Sequence, residues 1–320
     1  MWEIILWLLI FIGSYLIIFF AADFFLDNLK DVCIIYKLSP FIIGMLILGI
    51  DPEESIASII GAINNLPYIS MGNVIGNSII AMTLPFALPL LTKTINFKPM
   101  ARFFFLLLYF LMLIVLFGFM INYMLFFSGL LDLAGYTVYI IRNFQHYNKE
   151  KEIESESLKQ LVEDELNKLE KASKSKKIFY VFLGLFFIFI GGEILVFSAE
   201  KLIDLFNIPE IFFGFIIIGF VTNVEEITLM IKSIKKKSVE IGFGGMIGKL
   251  IWNLSITFGI SGLIIINLEF NWILIWNWLI LVAIIIYFNI LSLKGKLEKK
   301  DGFLLISIFA FFIILNSLLF

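Results

Sequence analysis

Charged side chains, cysteine and histidine are all scarce in this sequence. Asp, Glu, Lys and Arg make up 16% of the 320 residues, against roughly 25% in an ordinary soluble domain. The single cysteine, Cys33, cannot form an internal disulfide. The single histidine, His146, lies among charged residues, which favours a solvated loop position over a metal ligand. The low charge excludes a soluble enzyme, a disordered chain and a nucleic-acid-binding domain.

Long apolar runs make up most of the chain instead. Hydrophobic residues account for 61% of it, the mean hydropathy is +1.01, and 37 residues are phenylalanine. A membrane-spanning helix needs about 20 apolar residues. The first run is too long for a signal peptide and is expected to remain in the protein. The pattern predicts an all-α polytopic membrane protein with ten transmembrane helices, at 2–25, 38–63, 68–92, 102–121, 123–142, 178–203, 208–231, 240–265, 270–292 and 302–320.

One polar stretch, 143–177, separates the fifth apolar segment from the sixth. Within it, leucine and valine recur at helical spacing in KEIESESLKQLVEDELNKLEKASKSKK. This pattern favours an exposed amphipathic helix, with a regulatory ion sensor as the alternative. The predicted organisation is therefore a first five-helix repeat at 1–142, a charged loop at 143–177 and a second five-helix repeat at 178–320.

Lysine and arginine cluster on the connections that follow odd-numbered segments. Lys93 and the run 235–237 are examples, whereas the connections after even-numbered segments, such as NNLP at 64–67, are nearly uncharged. The positive-inside rule makes the basic side cytoplasmic. We therefore expect a multi-pass protein of the cell membrane, with a cytoplasmic central loop and both termini outside. Five segments per half then require the second half to run upside down relative to the first.

The two halves also resemble each other in sequence. The stretch 21–49 aligns with 191–219 without a gap, and Asp23 meets Glu193. A shift of two residues then aligns the next acidic and glycine positions: Glu53–Glu54 with Glu225–Glu226, Gly72 with Gly244 and Gly76 with Gly248. Inverted repeats of this kind are typical of secondary transporters, which bind their substrate near the midplane where the repeats meet.

Five acidic residues lie at equivalent places in the second and seventh segments: Asp51, Glu53, Glu54, Glu225 and Glu226. Each group falls about a dozen residues into its segment, near the middle of the bilayer at roughly 1.5 Å rise per residue. A charge at this depth costs about 2.5–3.5 kcal/mol, so such groups usually line a pathway or pair with each other. We expect a functional site here.

A break in each of these helices is also expected. Pro52 lacks a backbone donor and disfavours helix at Asp51, and Thr222 flanks the corresponding point in the second half. Broken helices expose carbonyl groups. Together with carboxylates, these are hard oxygen ligands that suit Ca²⁺, Na⁺ or protons.

Helical spacing places further polar residues on single faces. Asn73 and Asn77 lie four apart in the third segment, and Gly245, Lys249 and Asn253 follow the same spacing in the eighth. An unpaired lysine at the midplane is costly, so we expect it to pair with one of the glutamates, Glu226 or Glu54. The alternative for the asparagines is hydrogen bonding between helices.

These stretches resemble the motifs of the cation/calcium exchangers, the superfamily of sodium/calcium exchangers. That family has two inverted repeats, each with a G-T-S-x-P-E type motif on a broken helix and a G-N-x-x-G-S type motif on the next helix. The stretches here are GIDPEES (49–55) with GNVIGNS (72–78), and VTNVEEI (221–227) with GGMIGKL (244–250). In both repeats nineteen residues separate the second glutamate from the position of the motif asparagine, which is the family spacing.

The resemblance implies a sodium/calcium exchanger-like fold and a set of ligands. Glu54 and Glu226 match the paired glutamates that coordinate the metal ion. The other positions that match polar residues of the family's site are Asp51, Asn73, Asn77, Thr222, Asn223, Lys249 and Asn253. Helices 2, 3, 7 and 8 would form the ion core, helices 1 and 6 would slide against it, and Asp23 and Glu193 would lie near its two openings.

Several positions depart from the family pattern. Glu53 and Glu225 replace the motif prolines, as secondary acidic groups, while Ile50 and Ala81 stand where ligands are expected. Lys249 puts a fixed positive charge where the family binds cations. Its tethered ammonium could replace one Na⁺, release a proton on ion binding, or abolish transport.

The sequence therefore predicts a secondary active cation antiporter, exchanging Ca²⁺ or another cation for Na⁺ or protons by alternating access. The alternative is a degenerate member of the same fold that no longer transports and has a structural or regulatory role. No enzymatic activity is expected, because the motifs of intramembrane proteases and zinc enzymes are missing from the sequence. We expect no cofactor, no nucleic acid and no protein partner, only small cations and the lipid bilayer.

Overall fold

Helices make up nearly all of the chain that the structure describes. The structure is a computed structural model, and it describes residues 2–35, 51–97, 99–121, 123–150, 174–223, 226–227, 230–231, 234 and 239–318. Its helices follow the order of the ten apolar segments: α1 Trp2–Ile35, α2 Pro52–Ile63, α3 Pro67–Leu90, α4 Arg102–Met120, α5 Leu125–Glu150, α6 Lys174–Phe206, α7 beginning with Glu210–Phe212, α8 beginning with Val239–Trp252, α9 Trp272–Lys294 and α10 Lys299–Leu318. Among the described residues, all of these except α2 and α7 are long and apolar enough to cross a membrane.

Two of the helices change their winding along their length. In α7, Glu210–Phe212 leads into a π-helical segment, Phe213–Ile218, and then into an α-helical turn, Gly219–Thr222. In α8, the π-helical segment Asn253–Thr257 is followed by Phe258–Ile264. Such π segments occur frequently at functional sites, and both belong to helices that the sequence assigns to the ion core.

The helices flanking the central loop extend beyond their apolar segments. Helix α5 continues to Glu150 and α6 begins at Lys174, so the predicted borders at 142 and 177 fall inside helices. Hydropathy reports where a helix leaves the bilayer, whereas polar residues with good helix propensity continue it into water. The amphipathic helix predicted for the loop lies mostly at 151–173, outside the described residues, and so does the side chain of His146.

Helices α1 and α6 pack along each other as a pair at one side of the molecule. A Cβ at Gly184 of α6 would lie 2.9 Å from the Cα of Phe25 in α1, so the missing side chain permits this close approach. The outer faces carry exposed aromatic residues such as Phe20 and Phe182, as expected where a helix meets lipid. The pair has its own buried cluster, which reaches α2 through Ala57 and Ile60.

Helix α3 lies at the centre and is crossed by the π segment of α7. A Cβ at Gly76 would collide with the backbone carbonyl of Phe215, and a Cβ at Gly214 would lie 2.8 Å from the carbonyl oxygen of Ile69. Glycines on both helices therefore allow backbone to meet backbone. At Gly244, in contrast, an added Cβ would have nothing within 4 Å among the described residues.

A short antiparallel strand pair joins two connections that both follow odd-numbered helices. Strand β1, Ile95–Asn96, pairs with β2, Lys296–Leu297. Beside it, Glu298 pairs with Lys296 and Lys300, each at 2.6 Å. The hydrogen bonds from these lysines hold the pKa of Glu298 at about 2. Both connections belong to the basic side of the sequence pattern.

We expect Gly76→Ala to destabilise the protein, because the added Cβ meets backbone that cannot move aside. Overpacking of this kind costs about 1–3 kcal/mol. The matched control is Gly13→Ala on α1, where an added Cβ has nothing within 4 Å. Thermal unfolding of the purified proteins in detergent measures the difference. Equal melting temperatures for the two variants would contradict the close crossing of α3 and α7.

Candidate ion-binding site

A buried ammonium group, that of Lys249, lies among three carboxylates. Its Nζ is 2.5 Å from Asp51 Oδ2 and 2.6 Å from Glu54 Oε1, and it donates a hydrogen bond to Glu226 Oε1. The side chains of Lys249, Glu54 and Glu226 are 8%, 1% and 7% exposed, and that of Asp51 is 15% exposed. The sequence predicted either glutamate as the partner of the lysine; the structure brings both to it, together with Asp51.

The beginning of α2 positions two of these carboxylates. Pro52 occupies the first turn, where its missing N–H costs nothing. Asp51 caps the helix, and its Oδ1 accepts a hydrogen bond from the Glu54 N–H at 3.2 Å. The cap fixes Asp51 against the same turn that carries Glu54, so both side chains reach the site from one backbone segment.

The second carboxylate oxygen of Glu54 is held by α8. Asn253 Nδ2 donates to Glu54 Oε2 at 2.6 Å, and Thr257 Oγ1 donates to Asn253 Oδ1 at 3.3 Å. The Thr257 hydroxyl is also 2.7 Å from Ser55 Oγ, which receives a hydrogen bond from the Trp252 indole at 2.8 Å. This chain of contacts orients Glu54 toward Lys249.

Asn73 of α3 supports the backbone of the same turn. Its Nδ2 donates to the Glu54 carbonyl oxygen at 3.1 Å and to Ser58 Oγ at 2.8 Å. Its own Oδ1 has no hydrogen-bond partner among the described residues, although it is buried. The amide therefore offers an acceptor next to the carboxylates.

A second polar contact between the two repeats is a neutral counterpart of the lysine cluster. Asn77 Nδ2 donates to Thr222 Oγ1 at 2.8 Å, and Asn223 Nδ2 donates to Asn77 Oδ1 at 2.8 Å. All three residues are buried. Asn223 directly follows the turn Gly219–Thr222 of α7, so the predicted interruption of this helix coincides with a polar contact between the repeats.

Equivalent positions of the two repeats are therefore filled by different chemistry. The sequence alignment equates Lys249 with Asn77 and Asp51 with Asn223. One contact between the repeats is therefore the ion pair of Lys249 with Asp51, and the equivalent contact is the amide pair of Asn77 with Asn223. Asn253 is equivalent to Ala81, which cannot bind Glu226 as Asn253 binds Glu54. Among the described residues Glu226 Oε2 accordingly has no hydrogen-bond partner.

Three carboxylates and one ammonium leave the cluster with a net charge of −2 when all four groups are ionised. One ligand oxygen from each carboxylate lies within 4.8 Å of the others. A negative charge excess in the membrane interior is costly unless a cation compensates it. Carboxylate and amide oxygens in this arrangement suit hard cations such as Ca²⁺ and Na⁺.

The remaining acidic candidates lie apart from this cluster or outside the described residues. Glu53 is buried but is not among its three carboxylates, and Glu225 is not described. Asp23 is exposed on α1. Glu193 on α6 accepts a hydrogen bond from Asn64 at 3.2 Å.

Several polar residues of the network are not indicated by the sequence motifs. Ser55 and Thr257 join the network around Glu54, and Thr257 extends the four-residue spacing of Lys249 and Asn253 by one more step. Glu210 of α7 accepts hydrogen bonds from the backbone N–H groups of Tyr68 and Ile69 at the start of α3, at 2.7 and 2.9 Å. No spacing pattern in the sequence indicates this cap between the repeats.

Asp132 of α5 is a further buried carboxylate that the sequence analysis passed over. It is 0% exposed, and neither oxygen has a hydrogen-bond partner among the described residues. An inspection of every ionisable residue within an apolar segment finds it. It does not belong to the three-carboxylate cluster.

The fold and this centre together define a class: multi-pass helical membrane proteins with a buried ionic centre where two repeats meet. A family model described as "Sodium/calcium exchanger protein" matches residues 6–145 and 176–318. The chain belongs to the sodium/calcium exchanger family. This confirms the resemblance inferred from the motifs.

Solved exchangers have the same fold. The crystal structure of the H⁺/Ca²⁺ exchanger CAX is 14% identical, with a TM-score of 0.73, and the match covers 97% of this chain and 86% of that one. The sodium-calcium exchanger NCX_Mj, soaked with 2.5 mM Na⁺ and 1 mM Sr²⁺, is 19% identical with a TM-score of 0.62, covering 97% and 98%. No curated protein matches the sequence. The predicted fold of ten helices in two inverted five-helix repeats is confirmed.

We expect Lys249→Met to lower the stability of the protein in the absence of divalent cations. Removing one partner of a buried ion pair costs about 3–5 kcal/mol, because the other charges stay buried. Ca²⁺ should raise the melting temperature of this variant more than that of the wild type, since a ligand stabilises the state that binds it. Thermal unfolding in detergent, with and without CaCl₂, measures both effects.

The control for this experiment is Lys300→Met, which removes an exposed lysine that pairs with Glu298. Exposed ion pairs contribute little, so its melting curve should follow that of the wild type. A Lys249→Met protein as stable as this control, and unaffected by Ca²⁺, would contradict the buried cluster.

Proposed function

We propose that the protein is a secondary active cation antiporter, which moves Ca²⁺ or another cation in exchange for Na⁺ or protons. The observation that carries this proposal is the convergence of Glu54 and Glu226, one from each repeat, on a single point inside the membrane. Two carboxylates with free acceptor capacity form a site that a cation can neutralise. The chemistry is ligand exchange, in which no covalent bond forms or breaks, and the ions are cargo.

Alternating access would come from a shift between the α1–α6 pair and the core. The pair meets the core through an apolar cluster that also contains Ala57 and Ile60 of α2 and Phe213 of α7. Small sliding of packed helices past each other is a common form of domain movement. A contact of this kind is compatible with the expected movement of α1 and α6 during the cycle.

A locked, non-transporting protein is the second candidate, and the position of Lys249 favours it. The ammonium contacts all three carboxylates, so it occupies the space that a cation would take. The two candidates differ in what the lysine does during cation binding. Calorimetry of Lys249→Ser distinguishes them: binding of Ca²⁺ by this variant and none by the wild type would support the locked protein.

We expect Glu54→Gln and Glu226→Gln each to abolish cation exchange. The amide keeps the shape of the side chain but removes one of the charges that balance the cargo. Purified protein in liposomes, with gradients of Ca²⁺, Na⁺, K⁺, Mg²⁺ and H⁺ imposed in turn, identifies the exchanged ions. Tracer fluxes of ⁴⁵Ca²⁺ and ²²Na⁺ then compare the variants.

The matched control is Glu298→Gln, which makes the same chemical change in an exposed ion pair outside the membrane-spanning helices. Its fluxes should equal those of the wild type. Normal fluxes through both Glu54→Gln and Glu226→Gln would count against the antiporter and its site.

We also propose that the basic connections face the cytoplasm and that both termini lie outside. In a Cys33→Ser background, a cysteine replacing Lys300 should react with a membrane-impermeant maleimide only after the cells are permeabilised. A cysteine replacing Ile266, which is 84% exposed between α8 and α9, should react in intact cells. The reverse labelling pattern would overturn this orientation.

A further inference from the structure

We propose that Lys249 and Asp51 form an internal ion pair that takes the place of one transported monovalent cation. The exchange then moves one divalent cation against two monovalent cations, without net charge. This inference rests on the proposed antiport and specifies its charge balance. The observation behind the inference is the difference between the two repeats at equivalent positions.

The neutral pair at the equivalent contact between the repeats shows what the ion pair replaces. Asn77 and Asn223 are joined by a hydrogen bond of 2.8 Å and carry no charge. At the equivalent positions, Lys249 and Asp51 are 2.5 Å apart and have opposite charges. Each pair therefore adds zero net charge to the site. Lysine at position 249 without aspartate at position 51 would add a positive charge, and aspartate without lysine would add a negative one.

With both pairs balanced, the charge of the site is that of Glu54 and Glu226. Their side chains are 1% and 7% exposed, so water compensates them little. Moving such charges through the occluded state is costly unless cations neutralise them. One divalent cation or two monovalent cations achieve this neutralisation. The loaded site then has the same net charge in both halves of the transport cycle.

The lysine side chain is flexible enough to release the glutamates while keeping Asp51. Asp51 is the most exposed of the three carboxylates and therefore lies toward the edge of the cluster. It is also fixed, because its other oxygen caps the N–H of Glu54. A lysine side chain carries a compact ammonium on a flexible four-carbon stem. An entering cation can therefore displace the ammonium from Glu54 and Glu226 onto Asp51.

Substitution of Lys249 should raise the number of monovalent cations exchanged for each divalent cation, and a second substitution at Asp51 should reverse this change. Lys249→Asn leaves Asp51 unbalanced, so a third monovalent cation is needed for each divalent cation. The double variant Lys249→Asn, Asp51→Asn reproduces the amide pair of the equivalent contact and should return to two monovalent cations. Lys300→Asn, on the exposed surface, is the control for losing a lysine and should keep the wild-type ratio.

The experiment measures the gradients at which net ⁴⁵Ca²⁺ flux stops in proteoliposomes, with the membrane potential clamped by K⁺ and valinomycin. The counter-ion is Na⁺, or H⁺ if that ion supports the exchange. At zero potential, a tenfold counter-ion gradient should balance a hundredfold Ca²⁺ gradient for the wild type and the double variant. For Lys249→Asn it should balance a thousandfold gradient, and only this variant should respond to the potential.

Several results would overturn the inference while leaving the antiport in place. These are a wild-type balance point that shifts with potential, a Lys249→Asn ratio equal to that of the wild type, or flux only after Lys249 is replaced. If Lys249→Asn does not fold, two wild-type results decide whether the inference holds: the coupling ratio, and the response of the balance point to the membrane potential. Absence of flux in every variant would instead refute the proposed function, and the inference with it.

Discussion

Burial of three carboxylates around one ammonium is the interaction on which the rest of this structure depends. Asp51 and Glu54 come from one turn of the first repeat and Glu226 comes from the second repeat, and Lys249 holds all three within a few ångströms. In the membrane interior no water compensates an unbalanced charge, so the helices must bring these groups together precisely enough to pair. The glycines at the crossing of α3 and α7, the Asp51 cap and the Glu210 cap all contribute to that geometry.

The two repeats share a backbone plan but differ in charge. The amides of Asn77 and Asn223 form one contact between the repeats, whereas Lys249 and Asp51 form the equivalent contact as an ion pair. Such a difference leaves the fold unchanged, because each pair satisfies the buried polar groups of its own helix contact. It does change the electrostatics of any cation that enters. A duplicated scaffold can therefore keep its architecture while its charge balance diverges between halves.

Hydropathy, repeat alignment and motif spacing were sufficient to predict the fold, because a membrane span must be apolar over its whole length and an inverted repeat shows in the sequence. The convergence of Glu54 and Glu226 was predicted for the same reason. The hydrogen-bond partners that tertiary packing supplies were not predicted. Ser55 meets Thr257 across 202 positions of sequence, and Glu210 caps a helix about 140 residues away. The π segment at Asn253 also changes which side chains share a face, which a regular helical period does not anticipate.

The most direct test of the account is an experimental structure of the protein soaked with Sr²⁺, in which anomalous scattering marks the cation. The account predicts a single strong peak between the carboxylates of Glu54 and Glu226, with the Lys249 ammonium withdrawn onto Asp51. A Sr²⁺ peak elsewhere, or a centre in which Lys249 still contacts both glutamates at saturating Sr²⁺, would contradict it.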